Sequence, residues 1–269
     1  MSNSNIPVLA FDLGGTKLAA ALVRENRILE RRQVPTPEDR SPENIVHTFT
    51  ALSENWLEQV SKVAVAVTGH LKNGKVTAPN QKTLPWTDVD LTALLERSTG
   101  KPTTILNDAD AAAWGEFRFG AGRGSSRMMF VTVSTGVGAG LVLENTLLEG
   151  AELGFTRLED GTPLELTASG AALDRYAVRR GWNGARAVLE HAGKDQEAQI
   201  LLERTAMLIA GKLWDAYQLL SLERVVVGGG LGLSPGFLER VRKYLNGQID
   251  LVPAELGVDA GLMGAAAWK

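Results

Sequence analysis

The sequence predicts an α/β protein of two lobes built on mixed sheets. Three observations carry that prediction. Short apolar, β-branched runs alternate with longer helical stretches. Glycine clusters stand at the ends of several of those runs. One pattern, strand then glycine turn then strand, occurs at 8–23 and returns at 128–143.

Val8 to Phe11 reads as a buried strand, closed by a turn at Gly14-Gly15, with Leu18 to Val23 as its hairpin partner. Val63 to Val67 (VAVAV) is short and β-branched, which favours strand over helix. Pro102 to Leu106 is a further strand, and Asp108 to Phe119 an alanine-rich helix. Met128 to Val133 and Gly140 to Leu143 flank the glycine cluster STGVGAG as strands. Ser169 to Arg180 and Asp195 to Leu222 are helical; in the second, Met207, Ala210, Trp214, Tyr217 and Ser221 fall three or four apart, giving one semi-apolar face. Val225 to Val227 is a buried strand running into Gly228-Gly229-Gly230, and Asp259 to Trp268 a small-residue helix able to approach another backbone closely. The division this suggests is a small lobe from 1–108 plus 256–269 and a larger lobe from 109–255, with a ligand cleft between them.

Composition removes whole classes of chemistry. The 269 residues include no cysteine and only three histidines, His47, His70 and His191, widely spaced. Disulfides, cysteine zinc sites, iron–sulfur clusters and thiol nucleophiles are therefore excluded. Lys and Arg number 28 against 31 Asp and Glu, and no basic run forms a nucleic-acid patch. The first residues lack the basic, then apolar, order of a signal peptide, and no run approaches the roughly 18 apolar residues of a membrane span. A cytoplasmic protein is expected. The chain holds 29 glycines, more than the roughly 7% of an average protein, and their positions direct attention to function.

Asp12-Leu13-Gly14-Gly15-Thr16-Lys17 follows the first strand. Paired glycines let a turn present its N–H groups to a bulky anion; Thr16 adds a hydroxyl, Lys17 a positive charge, and Asp12 an oxygen for hydrated magnesium. A plain hairpin turn would have the same glycines. Thr135, Gly136 and Gly138 form a second polar glycine turn, and Gly229 and Gly230 a third, matching a nucleotide held between two lobes. Neither a P-loop nor a Rossmann fingerprint is present. Asn107-Asp108 joins a strand to a helix, as a helix cap or as a general base whose ionised form the helix N-terminus favours. Glu152, Glu165 and Asn80 read alone as surface and turn residues.

Taken in order, DLGGTK, PN, NDADAAAWGEF, VSTGVGAG, VVVGGG and DAGLMGAA resemble the ROK sugar kinases, from about residue 8 onward. RRQVPTP, ILNDADAAAWGEF and VSTGVGAG are most similar to the bacterial N-acetylmannosamine branch of that family. The resemblance implies an actin-like (ribonuclease H-like) fold, a homodimer, and transfer of the ATP γ-phosphoryl, with magnesium, to a hexose or N-acetylhexosamine 6-hydroxyl. By resemblance Asp108 is the base, and Asn80, Asn107, Glu152 and Glu165 bind the sugar. Asp12, Gly14, Gly15, Thr16 and Lys17 form one phosphate loop, Thr135, Gly136 and Gly138 another, and Gly229 and Gly230 lie near adenosine. Alternatives are another hexose kinase such as a glucokinase, a sugar-sensing repressor, for which a DNA-binding segment ahead of residue 12 is missing, and a catalytically silent sugar binder.

One departure is large. Many members carry a His and a cysteine-rich zinc segment after the second glycine turn; here Phe155 stands at the His position and only Thr156 to Leu164 leads to Glu165. A zinc-free variant is expected, with Glu152 and Glu165 held by packing alone.

Overall fold

The structure, a computed structural model, describes residues 6–78 and 83–269. In chain order its elements are β1 (Val8–Leu13), β2 (Lys17–Arg24), β3 (Arg27–Pro35), α1 (Pro42–Ser53), β4 (Val63–Val67), β5 (His70–Lys72), β6 (Lys75–Thr77), α2 (Leu91–Thr99), β7 (Thr103–Asn107) and α3 (Asp108–Phe119). They continue with β8 (Arg127–Val133), β9 (Val137–Leu143), β10 (Thr146–Leu148), α4 (Leu164–Thr167), α5 (Gly170–Arg179), α6 (Gly184–His191), α7 (Gln196–Leu220), β11 (Arg224–Gly228), α8 (Phe237–Leu245), β12 (Asp250–Pro253) and α9 (Ala260–Ala267).

The chain divides into two compact units, Met1–Phe119 with Val258–Lys269, and Gly120–Gly257. Each has its own core. The first unit's sheet runs β3-β2-β1-β4-β7; the second's runs β10-β9-β8-β11-β12. In both, the first three strands of the chain order form an antiparallel meander, and the last two join the sheet in parallel. The echo seen in the sequence therefore extends to two whole sheets of one topology. In each, a glycine turn links the first strand to the second.

β4 reads VAVAV because both faces of a central parallel strand are covered, and all five residues are buried. β3 carries charges instead (RILERRQVP) and is mostly exposed, as an edge strand is. α3 packs on α9 through glycines: a β-carbon on Gly264 would overlap the Ala111 carbonyl, and one on Gly115 the Ala260 carbonyl. That packing keeps α3 with the first unit. The crossing to the second unit accordingly follows α3, at Phe119/Gly120, rather than preceding it at 108, and the return comes at Gly257/Val258 rather than at 256.

The packed face of α7 is offset from its semi-apolar stripe. Leu202, Thr205, Ala206, Ile209, Ala210, Leu213 and Ala216 are buried, while Met207 is 45% exposed and Trp214 and Tyr217 are half-buried. The large residues of the semi-apolar stripe lie beside the packed face, which is built mostly of smaller side chains. Among the described residues no helix is long and apolar enough to cross a membrane.

Candidate active site

Asp12 stands next to last on β1, opposite Ala19 of β2 and Ala66 of β4. Small neighbours on both sides leave room for its carboxyl. Burial, and then the Asp108 carboxylate, raise its pKa to about 7; Arg31 acts in the opposite direction, and Asp259 adds to the rise. Arg31 is itself held by Asp259 at 2.8 Å and donates to Gln33 at 3.0 Å. The site gathers negative charge at a strand end, where a hard cation is favoured.

The turn beyond Asp12 closes when the Gly14 amide donates to the Lys17 carbonyl at 3.0 Å. Thr36, just past β3, grips it from outside: its hydroxyl donates to the Gly14 carbonyl at 2.9 Å and its amide to the Thr16 carbonyl at 3.0 Å. Against Gly15 lies Thr83, whose methyl carbon would be 2.6 Å from a β-carbon there. Arg40 donates to the Thr83 carbonyl at 2.6 Å, fixing that approach. Among the described residues, the Gly15 and Thr16 amides donate to no other group, and Thr16 and Lys17 are exposed. The turn can present N–H groups and a cation to an anion.

Asn107 ends β7 and caps α3. Its Oδ1 accepts from the Ala109 amide at 2.9 Å and the Asp110 amide at 3.3 Å, while its Nδ2 donates to the Gly69 carbonyl at 2.9 Å. The helix-capping reading falls mainly on Asn107. Asn107 takes most of the capping, and Asp108 opens the helix with a half-buried carboxyl that accepts from Ala109 at 2.9 Å and bears on Asp12. Asn80 lies outside the described residues.

In the second unit the Ser134 amide donates to the Gly136 carbonyl at 2.9 Å, curling the turn. The N-terminus of α5 holds its outer side: Gly170 donates to the Ser134 carbonyl at 2.7 Å and Ala171 to the Thr135 carbonyl at 3.0 Å. Glu165 holds the other side, its Oε2 accepting from the Val137 amide at 2.8 Å. Gly136 is required there, since a β-carbon would overlap that carboxylate. The third turn folds against the second, with the Leu231 and Gly232 amides donating to the Val133 carbonyl at 3.0 and 2.9 Å. Gly229, at φ +84°, passes so close to Val133 that no side chain fits, and Gly230 beyond it is exposed to open space. Thr135, Gly136, Gly138, Gly229 and Gly230 are thereby brought together in this unit.

Glu152 directly precedes the helical turn Leu153–Phe155, whose Gly154 packs on the Val137 carbonyl, and Phe155 is 44% exposed. The segment that follows is not held by packing alone. Arg157 bridges Pro163, Leu158 donates to the Thr162 carbonyl at 2.8 Å, and Leu164 donates to the Thr156 carbonyl at 2.9 Å. Asp160 closes the tip by accepting from the Thr162 amide at 2.9 Å. A hydrogen-bonded hairpin, made by Gly161 and an Asx turn, spaces Glu152 from Glu165. Among the described residues, no group of three or more metal-ligating side chains gathers.

The sequence reading overlooked Thr36, Thr83, Arg40, Arg31 and Asp259. All act across long stretches of chain, and the Pro-Thr-Pro between β3 and α1 was their only local sign.

Residues 8–269 match the model of the ROK family. The chain is 38% identical to a bifunctional enzyme NanE/NanK of Brucella melitensis, across 97% of this chain and 53% of that protein; it spans about half the length of that relative. It is 35% identical to an N-acetylmannosamine kinase of Haemophilus influenzae, across 97% of this chain and 94% of that one. In structure it is similar to a ROK family glucokinase of Streptomyces griseus, solved with glucose and AMPPNP: TM-score 0.83, 30% identity, 97% of this chain and 98% of that one. That likeness accounts for the paired sheets as an actin-like ATPase fold. Matched over nearly its whole length, the chain belongs to the ROK family.

Proposed function

We propose that this protein is an ATP-dependent kinase that phosphorylates the 6-hydroxyl of N-acetylmannosamine in the cytoplasm, acting as a homodimer. The observation that carries the reading is the division of labour at the start of α3. Asn107 satisfies the helix N–H groups, and the Asp108 carboxyl stands beside the acidic strand end at Asp12. The similarity to N-acetylmannosamine kinase over most of both chains supports the choice of sugar.

Asp108 orients the 6-hydroxyl and accepts its proton on a carboxylate oxygen as O6 bonds to the γ-phosphorus. The bond from that phosphorus to the β–γ bridging oxygen breaks, and ADP carries the electron pair away. Little basicity is needed, because the proton moves late in such a transfer. Asn80, Asn107, Glu152 and Glu165 bind sugar hydroxyls. The amides of Gly15 and Thr16, with Lys17, and those of Thr135 and Gly136 receive phosphate oxygens, while Gly229 and Gly230 admit the adenosine.

The donor set fits magnesium: Asp12 offers a hard oxygen, with Asp108 adding charge nearby, and Asp12 is the residue that would hold the ion through water. When bound, magnesium offsets the charge of the phosphate oxygens. Nothing in the reading calls for zinc.

A second reading, a kinase for glucose or another hexose, draws on the 30% identity to the Streptomyces glucokinase. An ADP-release assay over N-acetylmannosamine, N-acetylglucosamine, glucose, mannose and allose separates the two. N-acetylmannosamine is expected to give the highest kcat/KM. A higher value for glucose overturns the choice of sugar, and silence across the panel leaves a sugar-binding protein without catalysis. Asp108→Asn is expected to abolish turnover while ADP still binds; full turnover in that variant removes Asp108 from its role.

A further inference from the structure

Glu165 enters the proposed function as a sugar ligand, yet its carboxylate is already engaged with the second glycine turn. Oε2 accepts the Val137 amide at 2.8 Å, and among the described residues that is its only hydrogen bond. Gly136 lies against the same carboxylate so closely that a β-carbon would overlap it. A β-carbon on Gly154 would sit 3.4 Å from the Glu165 β-carbon and would overlap the Val137 carbonyl. Three segments therefore meet at one side chain: the turn, the Leu153–Phe155 helical turn and α4.

The backbone under Glu165 is itself fixed. Leu164 is fully buried and donates to the Thr156 carbonyl at 2.9 Å, closing the hairpin; Ala168 donates to the Leu164 carbonyl at 2.8 Å. Val137 is 3% exposed, so water is a poor replacement for its acceptor. Removing the carboxylate would leave a buried amide unpaired and open a void beside Gly136. The turn would then lose the support opposite α5 that points its remaining amides outward.

We infer that Glu165 is a positioning residue for the second glycine turn as well as a sugar ligand, so that one carboxylate serves both the phosphate-binding and the sugar-binding parts of this unit. The inference rests on the reading of Ser134–Val137 as a phosphate-binding turn. It differs from a sugar-only role in one measurable respect: Glu165 then governs nucleotide binding when no sugar is present.

The test is ADP affinity by calorimetry, without sugar, on four variants whose thermal midpoints report folding. Glu165→Gln keeps a carbonyl oxygen for the Val137 amide. Glu165→Met has nearly the same length and no such acceptor, and Glu165→Ala removes the acceptor without filling the space. Thr135→Asp places a negative charge at an exposed position of the turn. Loss of a charge-assisted bond to a buried amide predicts about tenfold weaker ADP binding for Glu165→Met and Glu165→Ala. Glu165→Gln should bind ADP as the unaltered protein does and show a raised KM for the sugar alone. If the folded Met or Ala variant binds ADP as well as Glu165→Gln does, the positioning role is overturned. Tighter binding in those variants overturns it too, since the carboxylate then acts only as a repelling charge. Thr135→Asp tells which idea has failed. Weakened ADP binding there with no effect at Glu165 removes the positioning role alone, whereas no effect in any variant removes the phosphate-turn reading beneath it.

Discussion

Thr36 donates its hydroxyl hydrogen to the Gly14 carbonyl at 2.9 Å, from a position just beyond the edge strand that borders the turn. With its amide on Thr16, the residue holds the first glycine turn at two points. The carbonyls are turned toward Thr36, and among the described residues the amides of Gly15 and Thr16 are left without an acceptor.

Thr36→Val keeps the shape of the side chain and deletes the hydroxyl bond. The half-buried Gly14 carbonyl then loses this partner, and one net hydrogen bond corresponds to about 1 kcal/mol, or roughly a fivefold rise in KM for ATP. KM for the sugar should hold steady, and Thr36→Ser should restore the ATP value. Steady-state kinetics on the two variants checks this; equal ATP values in the Val and Ser variants would show that the hydroxyl does not position the turn.

Asp12 predicts an unusual dependence of stability on pH. Its folded pKa of about 7 lies above the ordinary aspartate value of 3.8. Between those values the folded state holds a proton that the unfolded state has lost, so the group's contribution is full below about 4 and declines as pH rises through 7. Asp12→Asn removes that decline. In buffer without divalent cations it should stabilise the protein at pH 8 by on the order of 2–4 kcal/mol, each pKa unit being worth about 1.4 kcal/mol. Near pH 4 the gain should vanish. Denaturant midpoints at the two pH values measure the difference, and turnover should fall in the same variant.

Gly264→Ala tests the α3–α9 contact. The added methyl meets the Ala111 carbonyl of a neighbouring backbone and has nowhere to rotate. Overpacking of this kind destabilises by about 1–3 kcal/mol, and a backbone neighbour places the change at the upper end. Urea unfolding reads the loss. Gly211→Ala is the control, because no atom lies within 4 Å of a β-carbon there, and replacing an exposed mid-helix glycine should stabilise by somewhat under 1 kcal/mol.

The sequence announced those parts of the fold whose chemistry is local. VAVAV could be little but a central strand, and two polar sites stood at strand ends: Asp12 just before paired glycines, and Asn107-Asp108 at the start of an alanine-rich helix. The doubled order of strand, glycine turn and strand foretold two sheets of one topology. Edge strand β3 was hidden because exposure on one side removes the apolar run by which strands are recognised. The packed face of α7 was not singled out in the sequence, because its buried alanines and leucines, with Thr205 and Ile209, lie beside the larger residues of the semi-apolar stripe. Which of Asn107 and Asp108 caps the helix depends on side-chain rotation, which spacing does not encode. The grip of Thr36 on Gly14 and of Glu165 on Val137 required neighbours that only folding supplies.

The α3–α9 contact also sets an order of events during synthesis. α3 leaves the ribosome with its glycine face uncovered, and the helix that covers it follows the whole of the second unit. At 5–20 residues per second, the delay is on the order of ten seconds. Through that interval the first unit is an incomplete layer with exposed small residues, while the second can close on its own hydrophobic core. The second unit is thus the one able to mature first, and Asp12 acquires its final surroundings only when α9 arrives.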